Sequence, residues 1–100
     1  MIRVLLADDE DLIRAAVAAL LGLEPDIEVV AHAADGKTAV TAALAHRPDV
    51  AVVDLEMPGL DGIAVAAELT RVRPDCAVVV LTGTGLKATP RYAEMLGLAI

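Results

Sequence analysis

The sequence contains no phenylalanine, no tryptophan and a single tyrosine, Tyr92. A core without large aromatic anchors must be filled by Ala, Val, Leu and Ile. Each of these side chains buries little area, so cohesion depends on close approach between helices and a sheet. Cysteine is almost absent too. Cys76 stands alone, which excludes a disulfide framework and a cysteine-based zinc site and fits a reducing compartment such as the cytoplasm. No apolar run reaches the roughly 18 residues of a membrane span. Residues 1–30 lack the basic-then-apolar order of a signal peptide, because Asp8, Asp9, Glu10 and Asp11 interrupt it. Basic residues are few: 8 Lys and Arg against 15 Asp and Glu give a net charge of −7. They are scattered, so no basic stripe is available for direct contact with nucleic acid or an anionic membrane. The hydrophobic content of 57% is too high for a disordered chain, and 100 residues are enough for one domain.

The apolar residues fall into short runs that alternate with helical patterns. Ile2–Ala7, Ile27–Ala33, Val50–Asp54 and Ala77–Thr82 read as strands, the first and third as near-continuous apolar runs of the buried, parallel-sheet kind. Between them, Leu12–Leu21 reads as a helix with Ile13, Ala16, Val17 and Leu20 on its inner face, closed by Gly22 and Pro25. A second helix follows the Asp35-Gly36 cap, with Val40, Ala43 and Leu44 as its stripe. A third runs to about Val72 with Val65, Leu69 and Val72 inward and Asp61 as its cap. A short last helix starts at Thr89-Pro90. This β-α-β-α-β-α-β-α order, with short connections, predicts an open, mostly parallel α/β sheet built from right-handed crossovers. Ligands of such sheets bind beyond the carboxyl ends of the strands, at the switch in strand order.

Three of those strand ends carry Asp8-Asp9, Asp54 and Thr82. If the first and third strands are neighbours, three carboxylates meet at one rim. Each like-charge pair at about 4 Å costs roughly 1–4 kcal/mol, which protonation or a bound cation would offset. Oxygen-only donors without His or Cys suit a hard ion, and a few carboxylates with open positions suit Mg²⁺ better than Ca²⁺. The competing reading has Asp8 to Asp11 merely capping the first helix. His32, His46 and Cys76 have no partners at ligand spacing and read as structural or exposed. Asp26, Asp35, Asp49 and Asp75 fit turns or caps.

These residues resemble the receiver domain of two-component response regulators, the CheY-like superfamily. The resemblance is carried by Asp8-Asp9-Glu10, by VVDLEMPGLDG from Val52 to Gly62, and by Leu81-Thr82-Gly83. It implies a flavodoxin-like (βα)n sheet over residues 1–100. It further implies that Asp54 accepts a phosphoryl group from the phosphohistidine of a sensor histidine kinase. Asp9, Asp8 (largely through water), Asp54 and the Glu56 carbonyl would hold Mg²⁺. Thr82 would turn toward the phosphoryl oxygens, and Gly83 would leave the site open. Glu56 and Thr84 would line the rim.

The family's lysine, about 22 residues beyond the threonine, would fall near position 104, past Ile100. The resemblance therefore implies a receiver lacking most of its fifth strand and its last helix, with Lys37 and Lys87 both misplaced to substitute. The fourth strand would then be an open edge, and Leu12, Ala15 and Ala19 a second, uncovered flank of the first helix. A weakly stable monomer or a homodimer through these surfaces is the expectation. DNA contact would belong to an output domain outside this chain. Two other readings stand beside the phosphoacceptor: a degenerate receiver that binds partners without phosphorylation, and a Mg²⁺-dependent phosphohydrolase with Asp54 as nucleophile and Glu56 as acid.

Overall fold

A computed structural model describes residues 1–55, 57 and 62–81. It comprises β1 (Ile2–Ala7), α1 (Asp11–Gly22), β2 (Ile27–Ala33), α2 (Gly36–His46), β3 (Val50–Asp54), α3 (Gly62–Val72) and β4 (Ala77–Leu81). The strands form one parallel sheet in the order β2-β1-β3-β4. The predicted α/β class and parallel sheet are therefore observed. The chain leaves β1 to one side for β2 and returns to the other for β3, so the switch in strand order lies between β1 and β3. The expected end of β4 at Thr82 and the helix from Thr89 lie outside the described residues.

Alternation along the central strands divides the core in two. Leu5, Ala7, Ala51 and Val53 face the helices α2 and α3, where Ala39, Ala43, Val65 and Leu69 are fully buried. Val4, Leu6, Val52, Val79 and Leu81 form the opposite layer, against Val17, Ala18 and Leu21 of α1. Alanine at the α2 contact positions keeps that helix close to the sheet, as a core without aromatics requires. Cys76 is buried at the foot of β4, and burial pushes its thiol pKa up, so it is a protonated, unreactive core residue. His32 and His46 are exposed.

Two helix faces differ from the pattern reading. On α1 the packed residues are Val17, Ala18 and Leu21, whereas Ala16 and Leu20 are exposed. On α2 Ala39 joins Ala43 inside and Leu44 is exposed. Leu12, Ala15 and Ala19 are exposed, as expected of the outer flank of α1. The cap at Asp35 is present: its side chain accepts from the Thr38 amide at 2.8 Å, and that bond holds the carboxyl below its ordinary pKa.

Gly22 is not the stop signal it resembles. It is the last residue of α1, and the cap is Leu23 in a right-handed conformation, with the Leu23 and Glu24 amides closing on Leu20 and Leu21. Nothing lies within 4 Å of the place a Cβ would take on Gly22. Gly22→Ala should therefore raise stability by about 0.5 kcal/mol by restricting the unfolded chain. A thermal or urea melt that shows no gain would refute this.

Candidate functional site

The parallel register pairs Ala7 with Val53. The next residues of the two strands, Asp8 and Asp54, therefore emerge side by side at the carboxyl edge of the sheet. Both are buried, at 5% and 6% exposure, while Asp9 is exposed. Carboxylate oxygens of Asp8, Asp9 and Asp54 all lie within 4.8 Å of one another. Like charges so close cost roughly 1–3 kcal/mol per pair. Nor are these acids serving as a helix cap. The N-cap of α1 is Glu10, whose side chain makes no capping bond, and only Asp11 lies in the first turn.

The loop from β1 to α1 is tied down on every side. The Asp8 amide donates to the Ala33 carbonyl of β2 at 3.0 Å. The Asp8 Oδ1 accepts from the Glu10 amide at 2.9 Å, which fixes the carboxylate. The Asp8 carbonyl accepts from Arg14 Nη1 at 2.6 Å, while Arg14 Nη2 donates to Asp11 Oδ1 at 2.6 Å. On the other strand, the Leu55 amide donates to the Leu81 carbonyl and the Gly62 amide to the Leu55 carbonyl. These bonds set the end of β3 between β4 and the start of α3. A Cβ on Gly62 would stand 2.5 Å from Leu55 Cα and 2.7 Å from the Asp54 carbonyl oxygen. The helix can sit there only because residue 62 has no side chain.

The donor set is three carboxylates at the switch point with no nitrogen or sulfur ligand among the described residues. That chemistry fits a hard divalent cation that keeps part of its water shell, and Mg²⁺ above others. The structure thus brings together Asp8, Asp9 and Asp54 as the sequence reading expected. Glu56, Asp61, Thr82, Gly83, Thr84 and Lys87 lie outside the described residues. The sequence reading missed two residues. Arg14 had one available signal, as the sole Lys or Arg between Arg3 and Lys37 and a cation in the first turn of a helix, where the dipole disfavours it. Gly62 was visible only as part of a motif, and the reason for its smallness appears only in three dimensions.

Comparison with known proteins agrees with this geometry. The family model of the response regulator receiver domain matches residues 4–98. The chain is 45% identical over 82 residues to the transcriptional regulatory protein LiaR of Bacillus subtilis, covering 82% of this chain and 39% of LiaR. It is 43% identical over 96 residues to a protein-glutamate methylesterase/protein-glutamine glutaminase of Anaeromyxobacter dehalogenans, covering 96% of this chain and 28% of that protein. Among solved structures, the signal receiver domain of NarL from Mycobacterium tuberculosis superposes with a TM-score of 0.78 at 33% identity, covering 98% of this chain and 78% of that one.

Proposed function

This chain belongs to the response regulator receiver domain family, and on that premise we propose that it is a phosphoacceptor switch of a two-component system, with Asp54 as the residue that takes the phosphoryl group. The observation that carries this reading is the meeting of Asp8, Asp9 and Asp54 within 4.8 Å at the switch in strand order. An Asp54 carboxylate oxygen attacks the phosphorus of a phosphohistidine on a sensor kinase. The phosphorus–nitrogen bond breaks, its electron pair stays on the imidazole nitrogen, and Asp54 becomes a mixed acyl phosphate. Reactions of this type need in-line positioning and charge neutralisation above all.

Mg²⁺, when bound, supplies the positive charge that the crowded acids and the phosphoryl oxygens both require. Asp8, Asp9 and Asp54 would hold it, together with the Glu56 carbonyl. Thr82 and Gly83 are assigned to the phosphoryl oxygens, the first as a hydroxyl donor and the second as a small residue that leaves room. The chain spans less than half the length of LiaR and of the methylesterase. On this reading the receiver's own chemistry is its phosphorylation and dephosphorylation, and through that switch it regulates an output activity, DNA binding or another. No helix among the described residues is long and apolar enough to cross a membrane, and a cytoplasmic site of action is part of the proposal.

The test is the intact mass of the purified chain after incubation with acetyl phosphate, with and without Mg²⁺, beside Asp54→Ala. The expected result is a Mg²⁺-dependent gain of one phosphoryl group that the variant lacks. A folded chain that gains none would instead be a phosphorylation-independent interaction module.

A further inference from the structure

We propose that Arg14 is a positioning residue for the acid cluster: by holding the Asp8 carbonyl it fixes the Asp8–Asp9 peptide and so sets where the Asp9 carboxylate stands. The inference rests on the reading of that cluster as a Mg²⁺ site. Asp8 itself is well anchored, through its amide to Ala33 and its Oδ1 to Glu10. Asp9 is exposed, so its direction depends heavily on the planar peptide unit that precedes it. The oxygen of that unit is the atom Arg14 Nη1 grips at 2.6 Å.

A purely surface role does not account for Arg14. Its ion pair with Asp11 joins a partner that is 87% exposed, and pairs of that kind contribute little. The Arg14 side chain is only 16% exposed and lines a small cavity together with Asp8, Leu6, Val17, Val52 and Leu81. Its position in the first turn of α1 works against the helix dipole. A cation placed at such a site and fastened to a main-chain oxygen of the metal loop acts as an outer support of the ligands. Supports of this kind typically change metal affinity 10–100-fold when removed.

Charge and position predict opposite signs. If Arg14 acted only as a nearby positive charge, its removal would leave the site more negative and tighten Mg²⁺. If it positions Asp9, its removal weakens Mg²⁺. The experiment is calorimetric titration of the whole chain with Mg²⁺ alone, for wild type, Arg14→Met, Arg14→Lys and Asp11→Asn, with a thermal melt of each. Arg14→Met should weaken binding roughly tenfold or more. Arg14→Lys should recover part of the loss, because an ammonium reaches one acceptor without the fork that spans two. Asp11→Asn should leave the affinity near wild type. With acetyl phosphate, the Mg²⁺ concentration for half-maximal phosphorylation should rise in Arg14→Met, while the rate at saturating Mg²⁺ stays the same.

Unchanged or tighter Mg²⁺ binding by Arg14→Met overturns the inference and leaves the proposed function standing. Should Arg14→Met fail to fold, Arg14→Lys decides, and full wild-type affinity in that variant overturns it equally. A wild-type chain that binds no Mg²⁺ overturns both readings.

Discussion

Gly62→Ala should destabilise the fold by about 2–3 kcal/mol and disable the site at Asp54, even though alanine is the better helix former. Three effects compete. Helix propensity favours alanine by at most about 1 kcal/mol, and by less at the first residue of α3 than in a helix interior. Against it, the new Cβ would lie 2.5 Å from Leu55 Cα, 2.7 Å from the Asp54 carbonyl oxygen and 3.1 Å from the Asp54 carbonyl carbon. All three are main-chain atoms at the end of a strand hydrogen-bonded to β1 and β4, so no rotamer change relieves the contact. Overpacking of this sort costs about 1–3 kcal/mol and more where the backbone must move. The third effect follows from the second. If α3 backs away, the Gly62 amide loses the Leu55 carbonyl it holds at 3.0 Å, at about 1 kcal/mol.

The measurements are a urea melt for stability and Mg²⁺-dependent phosphoryl uptake at a temperature where the variant remains folded. Stability should fall and uptake should drop by at least about tenfold, since a shift near 1 Å at the reacting group can cost as much as 100-fold. A variant as stable as wild type would mean that the β3–α3 junction yields more easily than its packing indicates. Gly22→Ala provides the internal contrast. The same substitution at an open helix position should stabilise, so the sign is set by surroundings and not by the residue pair.

Much of this architecture was readable because the strands declare themselves. Val4–Ala7 and Val50–Val53 are apolar on successive positions, as burial on both faces of a sheet requires, and each run ends abruptly on acids. The acid cluster followed from the same feature, once β1 and β3 are neighbours. Helix faces were harder to read. In α1 nearly every position from Leu12 to Leu21 except Arg14 is apolar, so a stripe through Ala16 and Leu20 looks as good as one through Ala18 and Leu21. Only contact with Val4, Leu6 and Val52 decides between them. In α2 the buried residue is Ala39 rather than the larger Leu44, because close approach to the sheet selects for smallness. Arg14 and Gly62 escaped for a different reason. Both act on main-chain atoms, the Asp8 carbonyl in one case and the Asp54–Leu55 peptide in the other. A pattern of residue types does not display such contacts.

The acid cluster itself should be a weakness of the metal-free protein, and Asp8→Asn tests this with a change of sign. The asparagine oxygen can still accept from the Glu10 amide, as Asp8 Oδ1 does at 2.9 Å, so the loop keeps its local bond. One of three carboxylates within 4.8 Å is replaced by a neutral amide. Without Mg²⁺ the variant should therefore be more stable than wild type by about 1 kcal/mol, toward the lower end of the Coulomb range because neighbouring solvent screens Asp9. Added salt should narrow that gap. With Mg²⁺ the order should reverse. Loss of the Asp8 carboxylate, which would hold the ion largely through a bound water, should weaken Mg²⁺ about 100-fold, at the upper end of what outer supports contribute. Wild type at 100 times its dissociation constant gains about 2.7 kcal/mol by mass action, while the variant at the same concentration gains little. Melting curves taken across a Mg²⁺ series should cross. If Asp8→Asn melts lower than wild type in metal-free buffer, the cluster is not repulsive in the folded chain. If both proteins respond equally to Mg²⁺, Asp8 is not a ligand. A crossing would show that the fold carries an electrostatic penalty at the carboxyl edge of β1 and β3 that the bound cation removes, which is what couples metal binding to the readiness of Asp54 to receive a phosphoryl group.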